Sequence, residues 1–312
     1  MFGRASRRYT SVLTILLVVG CWASRSYCDE LGGGSAAPFL SMNVSARSSA
    51  LGGAFVGFSD GASTCMLNPS ELSHTDKTSI RLTYDSWIED TSHQFLGVTV
   101  PVGPAGAFGL GVVGTFTDLQ RRDGPTSLPS GQFSSYDAGV IGSYGMKITD
   151  QLSFGLSTKL IVQVLENERA TGFAGDFGMH ASFARDKLRL GAVIQNVGPD
   201  MKLVETRFAL PRSARLGASF VTVRDLLLIA ADYEVPRFGD GLIHLGLEVS
   251  YRMASLRVGY RGAIASSSAA GESHGITGGF GVRYNLLAVD YAFVTMAEGL
   301  GNTSMFSLGF VF

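Results

Sequence analysis

From Thr78 to Phe312, apolar side chains return at every second position with few interruptions. A period of two marks strands that show one face to an apolar medium and the other to something different. The pattern is cleanest near the end of the chain. Phe306, Leu308, Phe310 and Phe312 share one face there, and Met305, Ser307, Gly309 and Val311 share the other. One strand earlier, Leu287, Val289, Tyr291 and Phe293 oppose Ala288, Asp290 and Ala292. Fourteen such segments are expected, from Thr78–Asp85 to Thr303–Phe312. Most have about the 9–11 residues that a tilted strand needs to cross a bilayer.

Alternation alone also suits a soluble sandwich, so the connections decide. Tight turns recur at every second junction: Gly103-Pro104, Thr149-Asp150, Asp186-Lys187, Arg224-Asp225, Met253-Ala254 and Asn285-Leu286. Longer polar loops lie between them, among them Ser86–Ser92, Asp118–Phe133, Glu166–Ala170 and Val197–Pro211. That sorting is the habit of outer-membrane barrels, whose short turns lie on the periplasmic side. A bilayer tolerates no unpaired sheet edge and so forces closure. The expected fold is therefore all-β, a fourteen-stranded antiparallel transmembrane barrel over residues 78–312. A bacterial outer membrane is the matching location.

The charges support the same arrangement. On the faces opposite the bulky apolar side chains lie Arg81, Lys159, Asp176, Arg215, Asp232, Glu248, Arg257, Arg261, Arg283 and Asp290, among others. Few charges fall outward, where an ion at mid-membrane costs roughly 2–4 kcal/mol. Asp232, Glu248, Arg257, Arg283 and Asp290 alternate in sign on neighbouring late strands and are expected to form a paired network in the lumen. A net charge of −1 leaves no basic surface for a nucleic acid.

Residues 29–77 read differently. Ser35–Leu72 is apolar and rich in small residues, yet glycine breaks it too often for a long helix. The chain holds 40 glycines, roughly twice the usual share. Many of them, such as Gly109, Gly145, Gly155, Gly191, Gly217 and Gly259, fall on inward faces and leave room there. An N-terminal luminal hatch containing short helices is expected to fill it. Ser59 or Asp60 can cap a short helix over Gly61–Leu67, which Pro69 ends. Ahead of it, residues 1–28 read as a signal peptide: Arg4, Arg7 and Arg8 precede a short apolar core. Cleavage after Ala23 or Cys28 and lipidation of Cys21 remain alternatives.

Other constellations fail on context. Gly109-Leu110-Gly111-Val112-Val113-Gly114 copies a dinucleotide fingerprint but lies inside a strand, with no helix to meet a phosphate. His74, His93, His180, His244 and His274 show no paired metal-ligand spacing, and His180 and His244 are expected as lumen hydrogen-bonders. Cys65 reads as a small buried apolar residue. No nucleophile motif is present, so no enzyme, cofactor or metal is expected.

Ala36-Ala37-Pro38-Phe39-Leu40, Ala46-Arg47, Leu51-Gly52-Gly53-Ala54-Phe55, Asp60 and Asn68-Pro69 resemble the N-terminal signature of the PorV/PorQ-like proteins of the FadL-like outer-membrane superfamily. Ser70 and Glu71 depart from it, standing where alanine and glycine are usual. The resemblance implies a fourteen-stranded barrel with a hatch, and passive transport of hydrophobic compounds such as long-chain fatty acids. Leu51, Phe55, Val56, Phe58 and Met66, with the Asn68-Pro69 turn, would then line the ligand path. Its alternative is a PorV-like surface shuttle that binds secreted proteins in type IX secretion. Phe306, Leu308, Phe310 and the terminal Phe312 are similar to the signal read by barrel-assembly machinery.

Overall fold

The computed structural model describes residues 34–88, 91–121, 124, 128, 130–222, 226–264, 275–296 and 301–312. The expected signal peptide lies outside them. Strands β1 (Ser79–Ser86), β2 (Thr91–Pro101), β3 (Ala107–Arg121), β4 (Gly131–Lys147), β5 (Leu152–Leu165), β6 (Glu168–Phe183) and β7 (Leu188–Val197) form the first half of the wall. A small ribbon, β8 (Met201–Leu203) with β9 (Thr206–Phe208), follows as a sheet of its own. Strands β10 (Ser213–Val221), β11 (Leu227–Pro236), β12 (Leu242–Tyr251), β13 (Ala254–Ala263), β14 (Gly275–Tyr284), β15 (Leu287–Thr295) and β16 (Asn302–Val311) complete the wall. These fourteen strands close into one antiparallel barrel. The seam lies between the first and last: Ser79 faces Thr99 of β2 on one side and Val311 of β16 on the other.

The period of two is read directly by the wall. Along β12, Leu242, His244, Gly246 and Glu248 are buried inward, while Ile243, Leu245, Leu247 and Val249 are exposed outward. The same outward face on β14, β15 and β16 stacks Phe280, Tyr291 and Phe306, with ring centroids 5.4 and 4.8 Å apart. Phe306 and Phe312 are exposed on that face, and Leu308 and Phe310 partly so. An apolar exterior of this kind matches the outward band of outer-membrane barrels.

The connections depart from the sequence reading in two places. Glu166–Ala170 is no loop: β5 and β6 run on to a two-residue turn at Glu166-Asn167, with Glu166 at φ 57°. Strands β3 to β6 are 14 to 17 residues long, so this part of the wall stands taller than a bilayer requires. Val197–Pro211 in turn carries the β8–β9 ribbon, whose Met201 packs over Gly172. Beside it the register of β6 on β7 shifts between Gly175 and Phe177. Asp176, at that irregularity, turns fully inward and pairs with Lys159 at 2.8 Å. Asn196 completes the knot, accepting from Lys159 Nζ at 2.7 Å and donating its own N–H to Asp176 at 2.8 Å.

The N-terminal segment threads the lumen. It forms a 3-10 helix at Pro38–Ser41, a helix at Ala46–Ala50, a 3-10 turn at Gly61–Ser63 running into a helix at Thr64–Leu67, and a 3-10 helix at Pro69–His74. Each piece is too short to be stable alone in water. Stability comes from seating: side chains built at Gly145 or Gly155 would overlap the Pro69 backbone, at Gly191 the carbonyl of Val56, and at Gly259 the backbone of Gly52. Cys65 sits the same way over Gly109 and Gly111, and its burial pushes the thiol up to about 12. Asp60, expected as a possible helix cap, caps nothing with its side chain. Ser45 Oγ and two arginines occupy its carboxylate instead.

Candidate functional site in the barrel lumen

Two residues of the hatch and four of the wall close a circuit of alternating charge. Arg47 grips Glu248 of β12 at 2.7 Å, and Glu248 meets Arg257 of β13 at 2.5 Å. Arg257 reaches Asp290 of β15 at 2.7 Å, and Asp290 meets Arg81 of β1 at 3.1 Å. Arg81 lies 3.5 Å from Asp60, which lies 3.7 Å from Arg47, where the circuit began. Three cations and three anions balance without a surplus. Burial opposes the charged form of Asp60, yet Arg81 and Arg47 hold its carboxyl below the usual range. The Arg47 guanidinium also lies over the Phe58 ring, 4.9 Å from its centroid.

Of the five residues expected in this network, Glu248, Arg257 and Asp290 belong to the circuit. Asp232 does not: its carboxylate instead accepts the backbone N–H groups of Phe55 and Val56, at 2.8 and 3.0 Å. Arg283 is a correction. It has the inward parity, but it stands one residue from the Asn285-Leu286 turn, exposed, and no ion pair to it is found among the described residues. The circuit draws instead on Arg47 and Asp60, which have no place in any strand pattern.

The loop from Gly52 to Phe58 crosses the lumen under further tethers. His244 Nδ1 bonds the carbonyl of Gly52 at 2.8 Å, and its Nε2 meets Glu234 at 3.1 Å. Arg215 pairs with Glu234 at 2.7 Å, donates to the Gly53 carbonyl, and stacks over Phe55 at 4.5 Å. Ser219 donates to the Gly57 carbonyl at 2.6 Å. Glu234 went unread in the sequence, although it shares the inward parity of Asp232 one pleat away.

Above this loop, at the end of the barrel that bears the longer connections, lies a cavity of about 260 Å³. Its apolar lining includes Leu40, Met42, Phe55, Met66, Trp87 and Met305, and Arg215, Glu234, His244 and Arg261 supply its polar side. Phe55 and Met66 are thus the two expected path residues that face it. Leu51 and Val56 press on the wall at Gly246 and Gly191, and Phe58 lies under Arg47. Asn68 caps the following 3-10 helix, accepting from Ser70 N at 3.2 Å, with Pro69 in the first turn. Leu40 was read only as part of the N-terminal signature, and Met42 and Trp87 were missed because they sit in irregular backbone.

At the opposite end, the last turn of the hatch brings Glu71 and His74 to His180 of β6. Burial lifts the Glu71 carboxyl to about 8. Burial, aided by Lys147 and Arg189, lowers His74 to about 4. His180 is a lumen hydrogen-bonder as expected, but its partner His74 was not expected.

No protein-family model matches the chain, and no curated protein matches it significantly. Solved structures do resemble it. The Ralstonia pickettii toluene transporter TbuX is 16% identical and superposes with a TM-score of 0.63, covering 87% of this chain and 99% of its own. The Pseudomonas putida toluene transporter TodX is also 16% identical, with a TM-score of 0.62 over 86% of this chain and 97% of its own. A Pseudomonas aeruginosa FadL homologue, 13% identical, gives 0.61 over 90% and 99%. At these identities the likeness speaks for architecture. The chain has the fold of the FadL-like barrels.

Proposed function

We propose that this protein lies in a bacterial outer membrane and admits small hydrophobic molecules by passive diffusion. The observation that carries this reading is the cavity whose floor is the hatch itself, with Phe55 and Met66 facing into it. A ligand captured there touches the plug it has to displace. An apolar cavity of about 150 Å³ holds benzene, so about 260 Å³ accepts a substituted aromatic ring with room to spare. A long-chain fatty acid would fill it with one end only, its carboxylate drawn to the cationic side that Arg215 and Arg261 provide. The names of the structural neighbours, two of them toluene transporters, favour the same substrate class.

A second reading, a PorV-like shuttle for secreted proteins, draws on the N-terminal signature at Ala36–Leu40, Leu51–Phe55 and Asn68-Pro69. In either case the outward Phe306, Leu308, Phe310 and Phe312 would be the face offered to the assembly machinery. Uptake of labelled toluene and oleate by a deletion strain, with mass spectrometry of co-purified lipid, tests the first reading. Unchanged uptake of both and a lipid-free protein would exclude transport. A pull-down that then recovers secreted proteins with a shared C-terminal domain would favour the shuttle.

A further inference from the structure

The last turn of the hatch assembles three donor groups that the transport reading does not use. Pro69–His74 is a 3-10 helix, in which side chains three residues apart eclipse. Glu71 and His74 stand at that spacing and both meet His180 on β6. Glu71 Oε1 lies 3.4 Å from His180 Nε2, and His74 Nε2 lies 2.9 Å from His180 Nδ1. One ligand atom from each side chain can be chosen so that all three lie within 4.8 Å of one another.

The buried pair is unfinished. Glu71 and His180 are each 1% exposed, and among the described residues neither Glu71 Oε1 nor His180 Nε2 has a hydrogen-bond partner. A buried carboxylate oxygen and a buried imidazole nitrogen that stand close together without hydrogen bonds are costly. A proton between Glu71 Oε1 and His180 Nε2 is one way to pair them. A cation between them is another, and it can recruit His74 as well. Two imidazoles and one carboxylate suit an ion of intermediate softness, and poorly suit calcium or magnesium. In a tetrahedral zinc site with bonds of about 2.0–2.1 Å, neighbouring ligand atoms stand about 3.3 Å apart. The Glu71–His180 separation is already 3.4 Å.

We propose that Glu71, His74 and His180 bind one divalent transition ion of the zinc class, which pins the end of the hatch to the wall. His74 gives up its bond to His180 Nδ1 and turns onto the ion. It is the half-buried member, followed by the half-buried Thr75 and the exposed Asp76 and Lys77, so the ion has a route in from solvent. Water takes the fourth position. The ion holds the hatch at the end remote from the cavity, so it would set where the hatch hinges when a ligand presses on the other end.

The test uses the untagged full-length barrel in detergent, stripped with EDTA and then titrated with CoCl2 and ZnCl2. One cobalt per barrel is expected, with the visible absorption of a tetrahedral site, displaced stoichiometrically by zinc. His74→Asn and Glu71→Gln should each weaken zinc binding by at least about tenfold. Trypsin cleavage at Lys77 should slow on adding zinc in the unaltered protein and not in these variants. Absence of the cobalt spectrum, or equal zinc affinity in the two variants and the unaltered protein, would overturn the proposal. Heat-dependent gel mobility identifies folded barrels, and if one variant fails to fold the other decides.

Discussion

Arg47 grips Glu248 through two parallel hydrogen bonds, Nε to Oε2 at 2.8 Å and Nη2 to Oε1 at 2.7 Å. The first belongs to a five-residue helix in the hatch and the second to the middle of β12. A bidentate pair of this kind fixes direction as well as distance. It fastens one helix of the plug to the wall.

Arg47→Ala should therefore loosen the hatch and leave the barrel intact. Removing one member of a buried ion pair costs roughly 3–5 kcal/mol, because the other charge stays behind. Glu248→Ala should cost a similar amount, and the double variant should cost less than the sum. Limited proteolysis of the hatch, with heat-dependent mobility as the barrel control, measures all three. Strict additivity would mean that the pair is not coupled.

Lys159→Met makes the same argument in the wall. Lys159 and Asp176 are both fully buried, so the lost ammonium leaves Asp176 uncompensated beside the irregularity in β6. A loss of roughly 3–5 kcal/mol in urea unfolding is expected. Replacing both residues, Lys159→Met with Asp176→Asn, should recover part of it.

Gly155→Val should expel the hatch without opening the sheet. A Cβ at Gly155 runs into the Pro69 backbone, whereas one at Gly142 meets nothing nearer than Thr158 Oγ1 at 3.7 Å. In planar bilayers Gly155→Val should raise conductance, and Gly142→Ala should match the unaltered protein. Equal conductance for both variants would show that the hatch does not block the lumen.

Cys65 offers a probe of hatch position. Its thiol is buried against Gly109 and Gly111 and held up to about 12, so it is both covered and protonated at neutral pH. In a Cys21→Ser, Cys28→Ser background, a maleimide should leave the resting protein unlabelled. Labelling should appear in Gly155→Val, or on adding a transported ligand.

Acid should release the hatch only at low pH. Asp60 is held below its ordinary value of 3.8, so its contribution is complete above that value and is lost as pH falls through the lower one. Proteolytic protection of the hatch should be flat from pH 7 to about pH 5 as far as Asp60 is concerned. Asp60→Asn should remove the acid transition that follows. A transition near neutral pH that survives in Asp60→Asn would have to come from other groups.

The wall was legible because its physics is local and repetitive. The period of two assigns Leu245 outward and Glu248 inward with no knowledge of neighbours, and spaced turns give the strand count. The hatch has no period, so its burial could be read from small residues but its contacts could not. Arg47 and Asp60 meet β12 and β1 through folding of irregular backbone, which no spacing rule foretells. Parity also has limits: it places Arg283 inward but says nothing of its height, and at the turn end no ion-pair partner for it stands among the described residues. Glu71 and His74 would fall on opposite faces of a strand and share one face because the segment winds as a 3-10 helix.

The charge circuit straddles the join between the two ends of the chain. Arg81 on β1 and Asp290 on β15 flank β16, and the Arg81 guanidinium passes within 3.7 Å of where a side chain at Gly309 would begin. Their pairing exists only when the last strand lies between them. In a barrel still unzipped at that join, Arg81 and Asp290 stand apart and Asp60 loses a cation. The plug is then held by half its charges. The full set of charges that seats the plug is thus complete only once the first and last strands have met.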